Sequence, residues 1–421
     1  MEGYNFFTLR AVLIVKRIIG LTFLLIIILL SAVIEIRLGR INNKTIGHFA
    51  AELDISILLN RKNLSRKRTM SIYYFTNKYS TNTYFEKLVR EKVKIMPSVL
   101  LEYAYQFMVL RKQLHKHVIP SYDFNLGLTI PDSQKLDKLF WLELAKEPPL
   151  LRNDAEEKNA TKNLHLNLGS QFEEFACFHV RNSEFKIKEL RKRGFSENHI
   201  ESDKSRSEFR NSEIKNFILS AKFVSSKGVT PIQVGRVAQK LKNFFLIDYS
   251  NSDLRSDKND ILLAANCKFM VCTLSGFSEV SKIFRVPIFY IDVGDFLSFK
   301  SKVINSVFTS PIVLPKVLKS RRDESVLSIK QIRELGLFDK SVIEFEHYLI
   351  DPKCPIKLEK NSPDAIFRSI ELGVNYLDKK SSDLENSFQY GQRLFSELYS
   401  QDFNPLLPAI SPFWPNALKG I

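Results

Sequence analysis

The sequence predicts an α/β protein with parallel sheets that follow an apolar N-terminal helix. Three observations lead to this fold class. Short apolar strands alternate with amphipathic helices, residues 267–292 have the order strand–turn–helix–strand, and the seventeen residues 18–34 near the start carry no charge. Buried parallel strands are continuous apolar runs, and a helix that joins two of them makes a βαβ unit.

Composition limits the classes of partner. The chain has 421 residues, enough for two or three domains, and 44% of them are hydrophobic. Its formal net charge of +16 favours anionic partners such as phosphorylated small molecules, a membrane surface or nucleic acid. Zinc-finger spacings and long basic tracts are absent from the sequence, so we predict no nucleic-acid partner. The four cysteines form no CxxC pair, which fits a reducing compartment.

The apolar N-terminal stretch has the minimum length for crossing a bilayer. Lys16 and Arg17 precede it, and Ser31-Ala32-Val33 is a poor cleavage site for a signal peptidase. We therefore expect residues 1–36 to form an uncleaved membrane anchor or a helix in the membrane interface. Basic residues flank the stretch on both sides, so the positive-inside rule leaves its orientation open.

The next segment, 37–168, is predicted to be a Rossmann-like domain. Helical spacing at 49–59 is followed by a strand at 70–75, a helix at 82–92 and a short strand at 93–96. His48 follows the first short strand of this domain. It is a candidate general base, with a structural histidine as the alternative.

A second Rossmann-like domain is predicted at 169–325. The strand at 175–181 is polar only at its carboxyl end, where His179 and Arg181 stand, and open α/β sheets bind ligands at that end. Arg181 can hold a diphosphate through two hydrogen bonds. Arg210 precedes a predicted helix, and Gly235 ends the next strand. The alternative is a structural histidine and a surface arginine.

The turn in residues 267–292 is a candidate anion site. Ser275, Gly276 and Phe277 begin a predicted helix at 277–284, and Glu279 is one turn into it. Free N–H groups at a helix N-terminus favour a phosphate. The simpler alternative is that Ser275 caps the helix. The remaining segment, 326–421, is predicted to be a mainly helical tail that packs back on the domains.

Several short motifs in this order resemble a bacterial glycosyltransferase family that is known only by a numbered domain model of unassigned specificity. They are Ile46-Gly47-His48, Phe178-His179-Val180-Arg181, Arg210-Asn211-Ser212-Glu213-Ile214, Ile247-Asp248-Tyr249-Ser250, Asp260-Ile261, Cys267-Lys268-Phe269, Leu274-Ser275-Gly276-Phe277 and Ile410-Ser411-Pro412-Phe413. The His179-x-Arg181 element is also similar to the donor-binding strand of fucosyltransferases. The Ser275-Gly276 turn resembles the donor-side turn of two-domain GT-B enzymes.

The resemblance implies a GT-B architecture after the anchor and a hexosyl- or fucosyltransferase-like activity. The donor would be a nucleotide sugar, possibly GDP-linked, and the acceptor a cell-surface glycan or a lipid-linked glycan. Asp-x-Asp occurs nowhere in the sequence, so we expect neither a metal nor another cofactor. We expect Arg181 to stabilise the leaving diphosphate, with His179, Arg210, Gly235, Ser275, Gly276, Phe277 and Glu279 around the donor.

The resemblance also implies a bacterial inner-membrane protein with a cytoplasmic catalytic part. The alternative function is a non-catalytic, membrane-anchored nucleotide-sugar-binding subunit of a polysaccharide assembly system. It is favoured by the strand end Ile232-Gln233-Val234-Gly235, which lacks the expected arginine before glycine. A further departure is Asn182, which stands after Arg181 where an aspartate is expected.

Overall fold

A computed structural model describes residues 6–62, 69–119, 121–123, 127–129, 147–152, 154–192, 194–236, 245–294, 311–337, 340, 342–378, 382–398 and 409–418. The chain divides into two compact units, Met1–Arg152 and Asn153–Ile421. The boundaries predicted from sequence at 36, 168 and 325 stay predictions.

The first unit alternates helices and strands. Its elements are α1 (Phe6–Leu30), β1 (Glu35–Ile41), α2 (Ile46–Lys62), β2 (Thr69–Phe75), α3 (Thr83–Lys92), α4 (Ser98–Val109), a 3-10 helix (Lys112–His117), β3 (Ser121–Asp123) and β4 (Gly127–Thr129). β1 and β2 are parallel, and α2 joins them as a crossover helix. Single bridges at Leu38–Val118 and Tyr73–Ile95 extend this parallel arrangement on both sides. The predicted α/β class is confirmed here.

Helix α1 packs inside this unit along one face. Leu24 and Ile27 are buried in a core that includes Leu38 and Leu101. A Cβ atom at Gly20 would lie 2.6 Å from the Cβ of Tyr103, so α1 and α4 approach closely there. The membrane anchor predicted at 1–36 is not supported, because no helix among the described residues is long and apolar enough to cross a bilayer.

The second unit contains one large sheet with helices around it. Its elements are α5 (Ala155–Asn167), β5 (Glu174–His179), α6 (Glu184–Lys192), α7 (Glu197–Ser207), α8 (Ile218–Ser226), β6 (Val229–Gln233), β7 (Ile247–Asp248), α9 (Asp257–Asn266), β8 (Met270–Cys272), α10 (Ser278–Ile283), β9 (Ile288–Val293), β10 (Ile312–Pro315), β11 (Val317–Ser320), α11 (Ile329–Glu334), α12 (Val342–Ile350), β12 (Ile356–Glu359), α13 (Pro363–Leu377), α14 (Ser382–Leu398), β13 (Ala409–Ile410) and α15 (Pro415–Leu418). Short 3-10 helices lie at Glu208–Arg210, Ile214–Phe217 and Tyr249–Asn251.

The seven strands of the large sheet are parallel and lie in the order β13-β10-β9-β8-β5-β6-β7. From β5 the chain moves outward through β6 to β7, then returns to β8 on the other side and moves outward again. This is the 3-2-1-4-5-6 order of doubly wound nucleotide-binding sheets, with β13 added. The connections leave β5 and β8 in opposite directions, which opens a crevice between their carboxyl ends.

Side-chain caps begin several helices of this unit. Ser256 accepts a hydrogen bond from the amide of Asn259 and caps α9. Ser362 caps α13, and Pro363 occupies its first turn. Each cap satisfies an amide that would otherwise have no partner within the helix.

A buried polar cluster joins the C-terminal part of the chain to the sheet. Asp292, at the end of β9, accepts hydrogen bonds from Ser212 Oγ (2.6 Å) and from the backbone amide and Nδ2 of Asn361 (2.8 and 2.9 Å). Trp414 donates its indole N–H to the carbonyl of Lys316 at 3.0 Å. Asp292 has a φ of 57°, a left-handed conformation that these bonds stabilise.

Candidate functional site

Arg181 follows β5 at the carboxyl edge of the sheet, where the strand order reverses between β5 and β8, and its backbone is fixed. The amide of Arg181 donates to Thr273 Oγ1 at 2.8 Å, and its carbonyl accepts from the amide of Ser212 at 3.1 Å. The amide of Thr273 in turn donates to the carbonyl of His179 at 3.1 Å. The first residues after both strands are therefore tied together, and the side chain of Arg181 begins from a defined position.

His179 is held from three sides. Its Nδ1 lies 3.1 Å from Ser275 Oγ, and its ring is 5.3 Å from the ring of Phe277, measured between centroids. Desolvation of the ring, together with the positive charge of Arg181, lowers the pKa of His179 from 6.5 to about 4. The imidazole is therefore neutral near pH 7, so any contact it makes with a ligand uses a hydrogen bond rather than a full charge.

Gly235 supplies the third side of this arrangement. It has a φ of +117°, and a Cβ atom there would lie 2.8 Å from Cδ2 and 2.9 Å from Nε2 of His179. Glycine is required both by the backbone conformation and by the proximity of the ring. The sequence predicted Gly235 as a ligand-facing strand end, and the structure shows that it makes room for the neighbouring imidazole.

The turn at Ser275 and Gly276 differs from the prediction. α10 has only six residues, and its N-cap is Phe277, with no side-chain cap hydrogen bond. The alternative interpretation, in which Ser275 caps the helix, is therefore wrong, and so short a helix gives little support to a dipole-based phosphate site. Ser275 instead helps to hold the ring of His179, through the contact between its Oγ and Nδ1 of the imidazole.

Two further predicted donor residues are engaged by charged neighbours. Glu279 forms an ion pair with Lys282 at 3.0 Å, and both side chains are about nine-tenths buried. Arg210 pairs with Glu346 of α12, and its guanidinium lies 5.1 Å from the ring centroid of Phe209. A ligand would have to compete with these carboxylate and ammonium groups for either side chain.

His48 lies in the first unit, in the first turn of α2 rather than in a loop. Its Nδ1 is 2.9 Å from Oε1 of Glu52, whose side chain is only 6% exposed. The i,i+4 spacing of these two residues on one helix places them on the same face. Glu52 is a partner that the sequence analysis missed, although this spacing could have revealed it.

Thr273 and Ser212 were also missed. Both bind the backbone of Arg181 rather than a ligand, and Ser212 comes from a loop distant in sequence. Among the described residues, no group of three or more His, Cys, Asp or Glu side chains is arranged to hold a metal ion.

Comparisons with known proteins give weak likenesses to glycosyltransferases. The E. coli ADP-heptose LPS heptosyltransferase II is 12% identical with a TM-score of 0.34, and the match covers 61% of this chain and 84% of that chain. A family 9 glycosyltransferase from Veillonella parvula is 6% identical with a TM-score of 0.31, covering 61% and 80%. The iron-containing dodecameric glycosyltransferase TibC from enterotoxigenic E. coli is 11% identical with a TM-score of 0.32, covering 61% and 57%.

No family model and no curated protein matches the sequence. The resemblance to the numbered glycosyltransferase family and to the fucosyltransferase element therefore stays a prediction.

Proposed function

We propose that this protein is a glycosyltransferase that binds the diphosphate of a nucleotide sugar in the crevice between β5 and β8. The observation that carries the proposal is the position of Arg181, on a backbone fixed at both ends, at the switch point of a doubly wound parallel sheet. Open α/β sheets bind their ligands at this point. The acceptor would be a cell-surface glycan or a lipid-linked glycan, and the transfer would need no metal.

Arg181 would stabilise the charge that develops on the leaving diphosphate. A guanidinium forms paired hydrogen bonds with phosphate oxygens, and an arginine keeps its charge at any physiological pH. Its fixed backbone means that little reorganisation is needed when charge develops. His179, neutral at pH 7, can take part in a hydrogen bond without adding a second cation.

His48 is the proposed base for the acceptor hydroxyl in an inverting transfer. With a proton on Nδ1 shared with Glu52, the tautomer leaves Nε2 as the basic nitrogen. A neighbouring carboxylate also stabilises the imidazolium that forms when the base takes a proton. This role requires that the first unit binds the acceptor, which we propose as well.

The test is thermal unfolding of the full chain with GDP-, UDP- and ADP-linked sugars and with the free nucleotides. A ligand that binds the native state raises the melting temperature. We expect one nucleotide class to do so, Arg181→Ala to abolish the shift, and Arg181→Lys to reduce it. Arg191→Ala is the matched control, because Arg191 is a surface arginine of the same unit, paired with Glu197. A shift that persists in Arg181→Ala would remove the diphosphate assignment.

The non-catalytic alternative has one observation in its favour. Gln233 and Val234, which stand where an arginine was expected, are each only 2% exposed. Arg236, the first cation after β6, lies 3.5 Å from Asp257. Binding of a nucleotide sugar without transfer to any glycan acceptor, and without slow hydrolysis of the donor, would favour this alternative over the enzyme.

A further inference from the structure

We propose that the outer surface of α1 and the end of α4 dock in the plane of an anionic lipid membrane. We call this surface the α1 ridge. Its members are large apolar side chains that are exposed on α1, on the turn after it and on α4: Ile14, Val15, Ile18, Leu21, Leu25, Ile26, Ile28, Leu29, Leu30, Val33, Phe107 and Leu110. This inference does not depend on the proposed function.

The density of exposed apolar side chains distinguishes the α1 ridge from ordinary surface. Single exposed leucines are common in soluble proteins, whereas a contiguous apolar surface marks an interaction site. Leu29, Val33 and Leu110 are 75%, 79% and 81% exposed, so most of each side chain faces outward. The opposite face of α1 already packs in the core through Leu24 and Ile27. The face of α1 that points away from the core of the unit is thus apolar as well.

The charged residues of α1 and of the residues just after α4 are basic. Residues 6–34 contain no aspartate or glutamate, and their charged residues are Arg10, Lys16 and Arg17. Arg111 and Lys112, exposed directly after α4, add two more cations, and the guanidinium of Arg111 lies 5.3 Å from the ring centroid of Phe107. An apolar helix face with basic flanks is the combination that binds anionic lipid interfaces. Two copies of this surface would instead bring like charges together.

The packing of α1 determines how it would meet lipid. Because Gly20 brings the backbone of α1 against Tyr103, the helix is attached to its unit along one side. Only the outer side chains are available to enter a membrane. Such a helix lies parallel to the surface, with its apolar face inserted by about 5–10 Å at the boundary between head groups and acyl chains.

The experiment is flotation of the full chain with phosphatidylcholine vesicles, with and without phosphatidylglycerol. We expect binding that requires the anionic lipid and weakens with salt. Ile18→Glu combined with Leu25→Glu should lower binding by about tenfold or more, because two carboxylates would enter the interface. Leu166→Glu combined with Leu219→Glu is the matched control, since both leucines are exposed in the second unit. Unchanged melting temperatures would show that all variants fold.

A second measurement tests the orientation. The four native cysteines are buried, so Val15→Cys and Leu29→Cys each give one accessible site for an environment-sensitive fluorophore. In-plane docking predicts that a shallow quencher reaches both positions equally. Quenching of one end only, by a deep quencher, would overturn the in-plane geometry. Equal flotation of all variants would show that the α1 ridge is not the docking surface. The proposal would also be overturned if the native chain formed a concentration-dependent dimer, did not bind vesicles, and lost the dimer in Ile18→Glu/Leu25→Glu. A second copy of the chain would then be the partner of this surface.

Discussion

Replacing Gly235 by alanine tests the arrangement around His179 most directly. The new Cβ atom would lie 2.8 Å from Cδ2 and 2.9 Å from Nε2 of the imidazole, closer than van der Waals contact allows. The ring must move, and its contact with Ser275 Oγ, 3.1 Å in the native protein, would be lost. The sequence change is small, yet two separate penalties apply.

The first penalty is backbone strain at a φ of +117°, about 1–3 kcal/mol for a residue with a side chain. The second is the lost hydrogen bond of His179, about 1 kcal/mol. Together they predict a loss of about 2–4 kcal/mol in the free energy of unfolding. At about 2–4 °C per kcal/mol for a unit of this size, the melting temperature should fall by about 4–16 °C.

The assay is thermal unfolding, and two variants separate the penalties. Gly228→Ala also places alanine at a positive φ, +77°, but a Cβ atom there meets nothing within 4 Å. The melting temperature of Gly228→Ala should therefore fall only by the amount due to backbone strain. In a double-mutant cycle, Gly235→Ala should be less damaging when His179 is already alanine, because the ring is no longer in the way. Equal losses in the presence and absence of the imidazole would refute the contact.

The remaining predictions concern pH, the buried cluster and the proposed base. The pKa of His179 falls from 6.5 in the unfolded chain to about 4 in the folded protein, so the unfolded chain binds more protons between these pH values. The free energy of unfolding should therefore drop by up to about 3 kcal/mol as the pH falls through this window. His179→Gln should flatten the dependence of the melting temperature on pH in this range, and an unchanged slope would contradict the prediction. Asn361→Ala removes the two hydrogen bonds that Nδ2 donates, one to the buried carboxyl of Asp292 and one to the carbonyl of Pro315, and keeps the backbone bond to Asp292. It should reduce the free energy of unfolding by about 1–3 kcal/mol in urea titrations, and an unchanged value would contradict the prediction. His48→Ala should lower kcat more than it raises KM, and Glu52→Gln should lower kcat by a smaller factor. Unaltered turnover in both variants would make the pair structural.

Much of the second unit could be predicted because its signals are local. Apolar strands with polar residues only at their ends indicated His179 and Arg181 as site candidates, and the sheet topology places both at the crevice. The tertiary contacts could not be predicted. Ser212 and Thr273 reach the backbone of Arg181 from other parts of the chain, and only the order of strands brings them there.

In the first unit, the predicted boundary of the anchor at residue 36 falls inside strand β1. β1 begins at Glu35 and contains Arg37 and Arg40, which is an unusual composition for a buried strand. Glu35 and Arg37 neutralise each other through an ion pair of 2.5 Å, so the strand tolerates burial. The parallel pairing of β1 with β2 joins segments that are distant in sequence, so no local pattern shows it. From the sequence alone, Arg37 and Arg40 were therefore interpreted as the polar residues that flank an anchor.

The pairing of β13 with β10 has a consequence for synthesis of the chain. Ile312 pairs with Ala409, so the outer edge of β10 has no such partner until a much later part of the chain leaves the ribosome. At about 5–20 residues per second this interval lasts on the order of ten seconds. During that time an apolar strand edge is open to wrong partners. Efficient production of this protein should therefore depend on chaperones that protect nascent chains, and slowing translation after residue 315 should increase aggregation.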